Sequence, residues 1–231
     1  MKNSDKAQQV AQEVIARAFV FLLGILIILL AGTVTGLLGS AVGAMFIGLA
    51  ALWFIFVSFA HYFFRDPDPS VPAGPNLIIS PGHGKVDVID ETTEPEFMGG
   101  PCQRISIFLS VFDVHVQNAP VDGRAAFFKY KQGQFLNALR TDCASVNENV
   151  LIGFEPKTRR TEKLGVRLVA GVIARRIVPW VAAGQEVARG ERISLIQFGS
   201  RVEVYLPRSA KIKIKLGDRV VAGETVIAVF E

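Results

Sequence analysis

The stretch Leu195-Ile-Gln-Phe-Gly-Ser-Arg-Val-Glu-Val-Tyr-Leu-Pro207 places a Gly-Ser pair between two short runs rich in strand-forming residues. The runs predict strands at Arg192–Gln197 and Val202–Leu206. Seven more short strands are predicted earlier in the chain, at Leu77–Ser80, Lys85–Ile89, Arg104–Leu109, His115–Gln117, Gly123–Lys131, Val150–Phe154 and Leu164–Val172. Turn residues separate these runs at regular intervals, which indicates a β-rich domain with antiparallel pairing.

An internal repeat supports this fold class. The segment from Gly184 to Glu191 recurs from Gly217 to Glu224, with matching positions 33 residues apart. Such turns resemble those of biotinyl and lipoyl carrier domains, which are flattened barrels of two pseudo-symmetric halves. A carrier would need an exposed lysine in a hairpin between the halves, and none occurs in such a motif between Leu206 and Lys211. The repeat therefore predicts a scaffold: a mainly β, flattened barrel or sandwich.

The N-terminal part is of a different kind. From Ala18 to Phe64, 47 residues contain no Asp, Glu, Lys or Arg. A bilayer core is crossed by roughly 20 helical residues, so this run is long enough for a hydrophobic helical hairpin, with its break in the glycine-dense Gly32–Ser40. The expected organisation is an amphipathic segment, a membrane hairpin, a proline-rich linker and a β-rich domain, at 1–17, 18–64, 65–76 and 77–231.

Charge indicates the partners and the side of the membrane. Lys2, Lys6 and Arg17 precede the first span while the turn is uncharged, so the positive-inside tendency predicts that the N-terminus and the β-rich domain are on the cytoplasmic side of the cell membrane. A net charge of +4 suits an anionic bilayer. A nucleic-acid partner is not expected, because no recognised module for one occurs. Two distant cysteines without a histidine cluster favour neither a metal site nor a disulfide framework.

The Gly199-Ser200 pair can support chemistry on the main chain itself. A serine hydroxyl directly after a glycine can attack the preceding carbonyl, because glycine has no side chain to crowd the strained conformation that the attack requires. The ester that results can eliminate, and the serine residue becomes a pyruvoyl group. A Gly-Ser pair alone is weak evidence for this chemistry, so the interpretation depends on the surrounding motifs.

These motifs occur in a characteristic order. They are Phe63-Phe-Arg-Asp-Pro67, Ser80-Pro-Gly-His-Gly-Lys-Val86, Ile107-Phe-Leu-Ser-Val-Phe-Asp-Val-His-Val116, Asn147-Glu-Asn149, Ala174-Arg-Arg-Ile-Val178 and Phe198-Gly-Ser-Arg201. Together they resemble the short, single-chain form of the phosphatidylserine decarboxylase proenzyme family, from about Phe63 to the end of the chain.

The resemblance implies a membrane enzyme of phospholipid biosynthesis that matures by cutting itself between Gly199 and Ser200. The products would be a β chain, 1–199, and an α chain, 200–231, which stay together as a heterodimer. The covalent cofactor would be a pyruvoyl group from Ser200. It would form a Schiff base with an aminophospholipid, phosphatidylserine, and act as the electron sink for its decarboxylation to phosphatidylethanolamine and CO2.

The resemblance also assigns a base. His115 lies in the family's pattern around its catalytic histidine, and histidine can take up and return a proton near neutral pH. Asp113 shares a strand face with His115 if the strand is regular, so it could orient the ring or could instead cap a turn.

One family residue is replaced. Where the family has the aspartate of Ser-Pro-Ala-Asp-Gly, this chain has His83, an atypical third catalytic member that could accept a hydrogen bond or relay a proton. Asp87 and Asp90 are alternatives by sequence proximity only. A second hypothesis follows, namely an uncleaved, non-catalytic membrane homologue that binds lipid.

Substrate binding has weaker signals. Arg175 and Arg176 match the family, and because neighbouring strand residues face opposite ways, at most one of them points into a site. Phe198 is a further possible substrate-binding residue. The basic hairpin Glu155–Lys163 could meet lipid headgroups or could equally be a solvated turn.

Overall fold

The computed structural model describes residues 3–34, 42–136, 143–171, 176–197 and 200–231. They form two compact units. One is the helical unit Asp5–Arg65, and the other is a β-rich unit that comprises Asp66–Glu231 and the first residues of the chain.

The helical unit contains α1, Lys6–Val34, and α2, Val42–Phe63. Both helices are long and apolar enough to cross a bilayer. The amphipathic segment and the first apolar run belong to one continuous helix, α1. The ring of Phe19 on α1 lies 5.7 Å from that of Trp53 on α2. Residues 32–34, the start of the predicted break, still belong to α1, and the rest of the predicted break lies outside the described part of the chain.

The β-rich unit contains short strands and one turn of helix. The strands are β1 Leu77–Ile79, β2 Gly84–Glu94, β3 Gly100–Leu109, β4 Val116–Asn118, β5 Gly123–Lys131, β6 Asn149–Pro156, β7 Leu164–Ala170, β8 Ile177–Pro179, β9 Gln185–Val187, β10 Arg192–Ile196, β11 Ser200–Leu206, β12 Ala210–Ile212, β13 Arg219–Val220 and β14 Val226–Phe230. The short helix α3, Cys143–Val146, precedes β6.

These strands form one large sheet and two small ones. The large sheet has the order β13-β2-β3-β11-β7-β6-β5-β9, and the small sheets have the orders β4-β10-β8 and β1-β14-β12. All three sheets contribute to one large apolar cluster, which includes Ile107, Leu168, Ile193, Val202 and Ile227. The predicted mainly β fold is confirmed as a flattened sandwich, and the described strands do not close into a barrel.

The internal repeat corresponds to two equivalent turns. Gly184 and Gly217 have φ angles of 89° and 94°, and Gly190 and Gly223 have φ angles of 80° and 78°, which favour glycine. In the first turn the Ala182 amide donates to Gln185 Oε1, and in the second the Lys215 amide donates to Asp218 Oδ2. The repeat is therefore scaffold, as its missing lysine hairpin indicates.

The segments that contact these turns are also equivalent. The Gly190 amide donates to the Ala119 carbonyl, and the Gly223 amide donates to the Ser80 carbonyl. The Asn118 amide donates to the Pro81 carbonyl, and the Ile79 amide donates to the Pro120 carbonyl, each at 3.0 Å. The two halves are thus related by a pseudo-two-fold axis, which makes Ser80-Pro-Gly-His-Gly84 the structural counterpart of Ala119-Pro-Val-Asp-Gly123.

The proline-rich segment packs against the β-rich unit. Arg192, 1% exposed, donates from Nε to Asp66 at 2.5 Å and from Nη2 to Asp68 at 2.9 Å. A Cβ atom at Gly190 would stand 2.3 Å from Val71 Cγ2, so this turn needs glycine for the close passage of the segment as well as for its φ angle.

Candidate active site

Ser200 is the first residue of β11, in the middle of the large sheet. It pairs with Leu109, the last residue of β3, on one side and with Ala170, the last residue of β7, on the other. Two flanking strands therefore hold the backbone of Ser200. We call the side of the sheet where β3 and β7 end and β11 begins the Ser200 edge.

The hydroxyl of Ser200 makes no structural hydrogen bond with the described residues. The residue is fully buried, and its Oγ has no hydrogen-bond partner among the described residues. Buried hydroxyls normally make a hydrogen bond, so an unsatisfied one requires an explanation. An Oγ that is reserved for reaction with the adjoining main chain provides one.

His115 lies where the chain passes from the large sheet to the small sheet β4-β10-β8. It follows the turn after β3 and immediately precedes β4, and it is fully buried. Its carbonyl accepts a hydrogen bond from the Ile196 amide at 3.1 Å, at the end of β10. His115 therefore lies next to the end of β10, the strand that precedes Ser200 along the chain.

Main chain orients the ring of His115. Nδ1 lies 2.9 Å from the Asp113 carbonyl oxygen. Because a carbonyl only accepts, Nδ1 carries the proton and Nε2 is the basic nitrogen of the neutral ring. The Asp113 carboxylate instead accepts from the Ser110 amide and hydroxyl and from Arg219. Of the two roles left open for this residue, the structure supports the turn cap.

Two buried polar side chains brace the main chain at His115. Gln117 Nε2 donates to the His115 carbonyl at 2.6 Å, and Ser194 Oγ donates to Gln117 Oε1, also at 2.6 Å. All three residues are fully buried. Neither Gln117 nor Ser194 is singled out by the sequence motifs, since their pairing joins strands β4 and β10 across 77 residues.

His83 lies in the loop that enters β2 at the Ser200 edge. A Cβ atom at the neighbouring Gly82 would stand 3.2 Å from Val202 Cγ2 and 3.7 Å from Leu109 Cδ1, so the loop packs on the end of the β3–β11 ladder. The ring of His83 is partly buried. In the pseudo-symmetric half its place is taken by Asp122, whose carboxylate accepts a hydrogen bond from the Arg189 amide at 3.0 Å.

The acids that sequence proximity offered as replacements are engaged elsewhere. Asp87 accepts two hydrogen bonds from Arg201, at 2.8 and 2.7 Å, and Asp90 accepts two from Arg104, at 2.9 and 2.6 Å. Neither carboxylate is bound to a histidine among the described contacts. Arg201, which the motifs singled out only as part of a pattern, is thus a structural anchor directly after Ser200.

These ion pairs lie on the face of β11 that is opposite the apolar core, and further buried polar side chains of β11 lie on the same face. The Tyr205 hydroxyl donates to Glu203 at 2.6 Å, and Arg104 also contacts Glu203 at 3.3 Å. Burial, together with the Glu203 carboxylate, raises the pKa of Tyr205. The hydrogen bond from Arg104 to Asp90 raises the pKa of Arg104. The strand that begins with Ser200 is therefore held by charges as well as by the sheet.

The Asn-Glu-Asn motif holds the neighbouring strand at the Ser200 edge. Asn147 is fully buried and donates from Nδ2 to the Ala170 carbonyl at 2.8 Å and to the Leu136 carbonyl at 2.9 Å. The Glu148 carbonyl accepts from the Ala170 amide at 3.0 Å. Ala170 is the residue that pairs with Ser200, so the motif positions the site through its backbone.

Of the remaining site residues that the sequence predicts, only Arg176 lies among the described residues. Gly199, Phe198 and Arg175 lie outside the described residues. Arg176 is exposed, and its carbonyl accepts a hydrogen bond from the Gln197 amide at 3.1 Å.

The basic hairpin is remote from these residues. It follows Pro156 and precedes Leu164, whereas Ser200 pairs with the other end of β7. It therefore lies at the opposite edge of the sheet. Two of its cations have structural contacts, since Lys163 donates to the Phe97 carbonyl and Arg159 donates to the Glu231 carbonyl. The hairpin is therefore not part of the Ser200 edge.

Comparison with known proteins agrees with this arrangement. The family model of phosphatidylserine decarboxylase matches residues 56–228. The phosphatidylserine decarboxylase proenzyme of Symbiobacterium thermophilum is 43% identical over 187 residues, which cover 81% of this chain and 83% of that protein. The proenzyme of Desulfotalea psychrophila is 41% identical, with 80% and 93% covered, and that of Geobacter metallireducens is 39% identical, with 92% and 94% covered. The chain belongs to the phosphatidylserine decarboxylase family.

Proposed function

We propose that this protein is a membrane-attached decarboxylase that converts phosphatidylserine to phosphatidylethanolamine and CO2 with a pyruvoyl group made from Ser200. The observation that carries the proposal is the buried Ser200 Oγ without a hydrogen-bond partner among the described residues. It follows a glycine in sequence and begins a strand that is held on both sides. Family membership supplies the substrate class.

Maturation proceeds on the chain's own atoms. Ser200 Oγ bonds to the carbonyl carbon of Gly199 while the peptide C–N bond breaks, which gives an ester and a free amino group. Loss of the Cα proton of residue 200 then expels the Gly199 carboxylate from Cβ and leaves a dehydroalanine. Water replaces its nitrogen, ammonia leaves, and a keto group remains at the head of 200–231.

His115 is the proposed base for the first step. With Nδ1 donating to the Asp113 carbonyl, the ring presents Nε2 as a proton acceptor. The Gln117–Ser194 pair fixes the backbone on which the ring is mounted. His83 is the proposed third member, on the loop that packs against Val202 and Leu109.

The pyruvoyl group, once present, supplies an electron sink for the loss of CO2 from a bound amine. The site fits such a group because the side chain that becomes it is buried and is not committed to a structural hydrogen bond. Burial of Ser200 and His115 also excludes water from the position where charge would develop.

The cut is expected to leave both chains assembled. Residues 200–231 include β11, which lies between β3 and β7, and β14, which pairs with β1. Fully buried side chains on this segment, such as Val202 and Ile227, belong to the common core. The heterodimer of α and β chains is therefore held by sheet pairing and burial without the severed bond.

Membrane attachment through α1 and α2 is part of the proposal. Two helices return the chain to the side on which it began, and the lysines and arginine before the apolar run favour the cytoplasmic side. A soluble β-rich unit on that face would meet substrate made in the same leaflet.

Intact-mass measurement of the purified full chain tests the proposal. We expect fragments 1–199 and 200–231, the second starting with a blocked keto terminus, and we expect Ser200→Ala to give a single 25.2 kDa chain. Tyr205→Phe is the matched control, because it removes a buried hydroxyl from the same strand, at the end remote from Ser200, and should leave the cut in place. Cleavage that persists in Ser200→Ala contradicts the assignment.

A non-catalytic, lipid-binding homologue is the second candidate, and it is favoured by His83, which stands where the resemblance implies an aspartate. It predicts one uncut chain in freshly made wild-type protein. The same mass spectrum therefore separates the two candidates.

A further inference from the structure

The Ser200 edge carries exposed apolar side chains as well as the reactive groups. Outside the two long helices, the two most exposed large apolar side chains among the described residues are Leu216, 66% exposed, and Phe112, 65% exposed. Such side chains are ordinary when they are scattered, but two neighbouring ones beside a site indicate an interaction surface.

The pairing register places both side chains at this edge. Phe112 lies in the turn after Leu109, which pairs with Ser200. Leu216 lies in the turn before β13, and β13 joins the sheet by pairing Arg219 with Lys85. Lys85 in turn pairs with Phe108, next to Leu109.

One ion pair joins the two turns. Arg219 Nη2 donates to Asp113 Oδ1 at 2.7 Å, which ties the Leu216 turn to the Phe112 turn. Leu216 and Gly217 also line a cleft of about 470 Å³ together with Lys85 and Phe108. The two apolar tips are therefore held by ordered turns on the same rim.

Cations surround the tips. Lys85, Lys215 and Arg219 are exposed, and Lys213 extends the series along the chain. The acidic neighbours are Asp113, which is paired with Arg219, and Asp218, which caps the turn by accepting from the Lys215 amide. Asp87 also lines the cleft, where it is paired with the buried Arg201. Cations thus outnumber carboxylates around Phe112 and Leu216. Apolar tips that penetrate a surface and basic side chains around them are the combination that binds an anionic bilayer.

We propose that Phe112 and Leu216, with Lys85, Lys215 and Arg219, form a docking rim that seats the Ser200 edge of the β-rich unit on an anionic lipid surface. This inference extends the proposed function, because a seated rim lets a headgroup reach Ser200 while its acyl chains stay in the bilayer. The basic hairpin at the opposite edge has cations but no large apolar side chain at its tip. It is the natural control surface.

Fluorescent labelling of the full chain tests the rim without any need for activity. Phe112→Cys and Leu216→Cys, each in a Cys102→Ala, Cys143→Ala background, are labelled with an environment-sensitive dye and reconstituted into phosphatidylcholine vesicles with about a quarter phosphatidylglycerol. Thr158→Cys, exposed in the basic hairpin, is the control. We expect blue-shifted emission and quenching by spin-labelled acyl chains at positions 112 and 216 only. Equal emission and quenching at all three positions would overturn the proposal.

Two further arms identify the source of the effect and separate it from the chemistry. In vesicles of phosphatidylcholine alone the shifts at 112 and 216 should shrink, since the cations then lose their partners; unchanged shifts contradict the role of charge. In a Ser200→Ala background the shifts should persist, so failed self-cleavage and failed docking give different results.

Kinetics supply an independent readout for active protein. Lys85→Glu with Lys215→Glu should raise KM for phosphatidylserine in anionic vesicles roughly tenfold, while kcat/KM for a water-soluble, short-chain phosphatidylserine stays unchanged. Lys157→Glu with Arg160→Glu, the same charge change in the opposite hairpin, should leave both values unchanged. An equal loss in both pairs of variants contradicts a localised rim.

Discussion

Arg201 and Asp87 form a two-pronged ion pair directly beside Ser200. The guanidinium is fully buried, its two terminal nitrogens lie 2.8 and 2.7 Å from the two carboxylate oxygens, and Nη1 also donates to Ser106 Oγ. The residue that heads the proposed α chain is therefore followed at once by a fixed charge.

Removal of the Asp87 charge should destabilise the fold. Asp87→Asn leaves the buried Arg201 without its anion, and we expect the free energy of unfolding to fall by about 3 kcal/mol, measured by denaturant titration in detergent. The double variant Asp87→Leu, Arg201→Met removes both charges and should recover part of the loss. A double variant less stable than Asp87→Asn would show that the pair itself, and not the unpaired charge, determines the effect.

Replacement of the proposed base should slow maturation. His115→Gln keeps a polar side chain of similar size but cannot accept a proton near neutral pH, so self-cleavage should slow by about 10²- to 10⁴-fold. The measurement is the fraction of cut chain against time after synthesis in a cell-free system with vesicles. His61→Gln, on α2, is the control and should mature at the wild-type rate. An unchanged rate in His115→Gln would assign the proton transfer to another group.

Position 83 should respond to a carboxylate. The pseudo-symmetric Asp122 shows that an aspartate fits this loop geometry, where it accepts a main-chain hydrogen bond. A permanent anion near an imidazole stabilises its charged form, so His83→Asp should cut at least about tenfold faster than the wild type, and His83→Ala should cut more slowly.

The reciprocal change Asp122→His lies in the other half and should leave the cleavage rate unchanged. If His83→Asp is no faster than His83→Ala, position 83 takes no part in maturation.

Alkaline pH should weaken the fold through Tyr205. Its pKa is raised in the folded state, mainly by burial and then by Glu203, whereas in the unfolded chain it is near 10. Above about pH 10 the unfolded state releases the proton first, so this contribution to stability is present at neutral pH and is lost as the pH rises.

Tyr205→Phe should therefore flatten the decline of stability between pH 9 and 11 in urea titrations. At pH 7 it should cost about 1–2 kcal/mol, because Glu203 loses a hydrogen bond. Tyr130→Phe should change the slope much less, because the residue is 52% exposed and solvent screens the groups that raise the pKa of Tyr130. A slope that is as steep in Tyr205→Phe as in the wild type assigns the alkaline loss to another group.

Local sequence patterns predicted the strands well where a strand is a run of apolar residues or alternates apolar with polar residues. Gly123–Lys131 was predicted at the bounds that β5 has, because its neighbours at both ends are turn residues. The strand predicted at Lys85–Ile89 extends to Glu94 in the structure, where its second half pairs with β3. The sequence did not predict this half, because Asp90–Thr93 is polar and shows no alternation of apolar residues. The two-residue β13 and the three-residue β8 were too short to be recognised.

The pseudo-symmetry was only half visible in the sequence. The repeated glycine turns share several residues, whereas their partner segments share little beyond Pro81 with Pro120 and Gly84 with Gly123. Main-chain hydrogen bonds make these segments equivalent, and such bonds place few demands on side-chain identity. The one sequence signal that could have revealed the equivalence of the two loops is a proline followed three positions later by a glycine, which occurs in both.

Patterns along the chain were sufficient to predict the apolar helices, the β-rich class, the glycine turns and the Gly-Ser pair with its candidate base, because each depends on residues that are close in sequence. The pairing of acids with bases became known from the three-dimensional arrangement alone. Asp87 belongs to Arg201, and the carboxylate of Asp113 belongs to a turn and to Arg219. Those partners are set by strand register between segments about a hundred residues apart, and a shift of one residue would exchange every contact across the sheet.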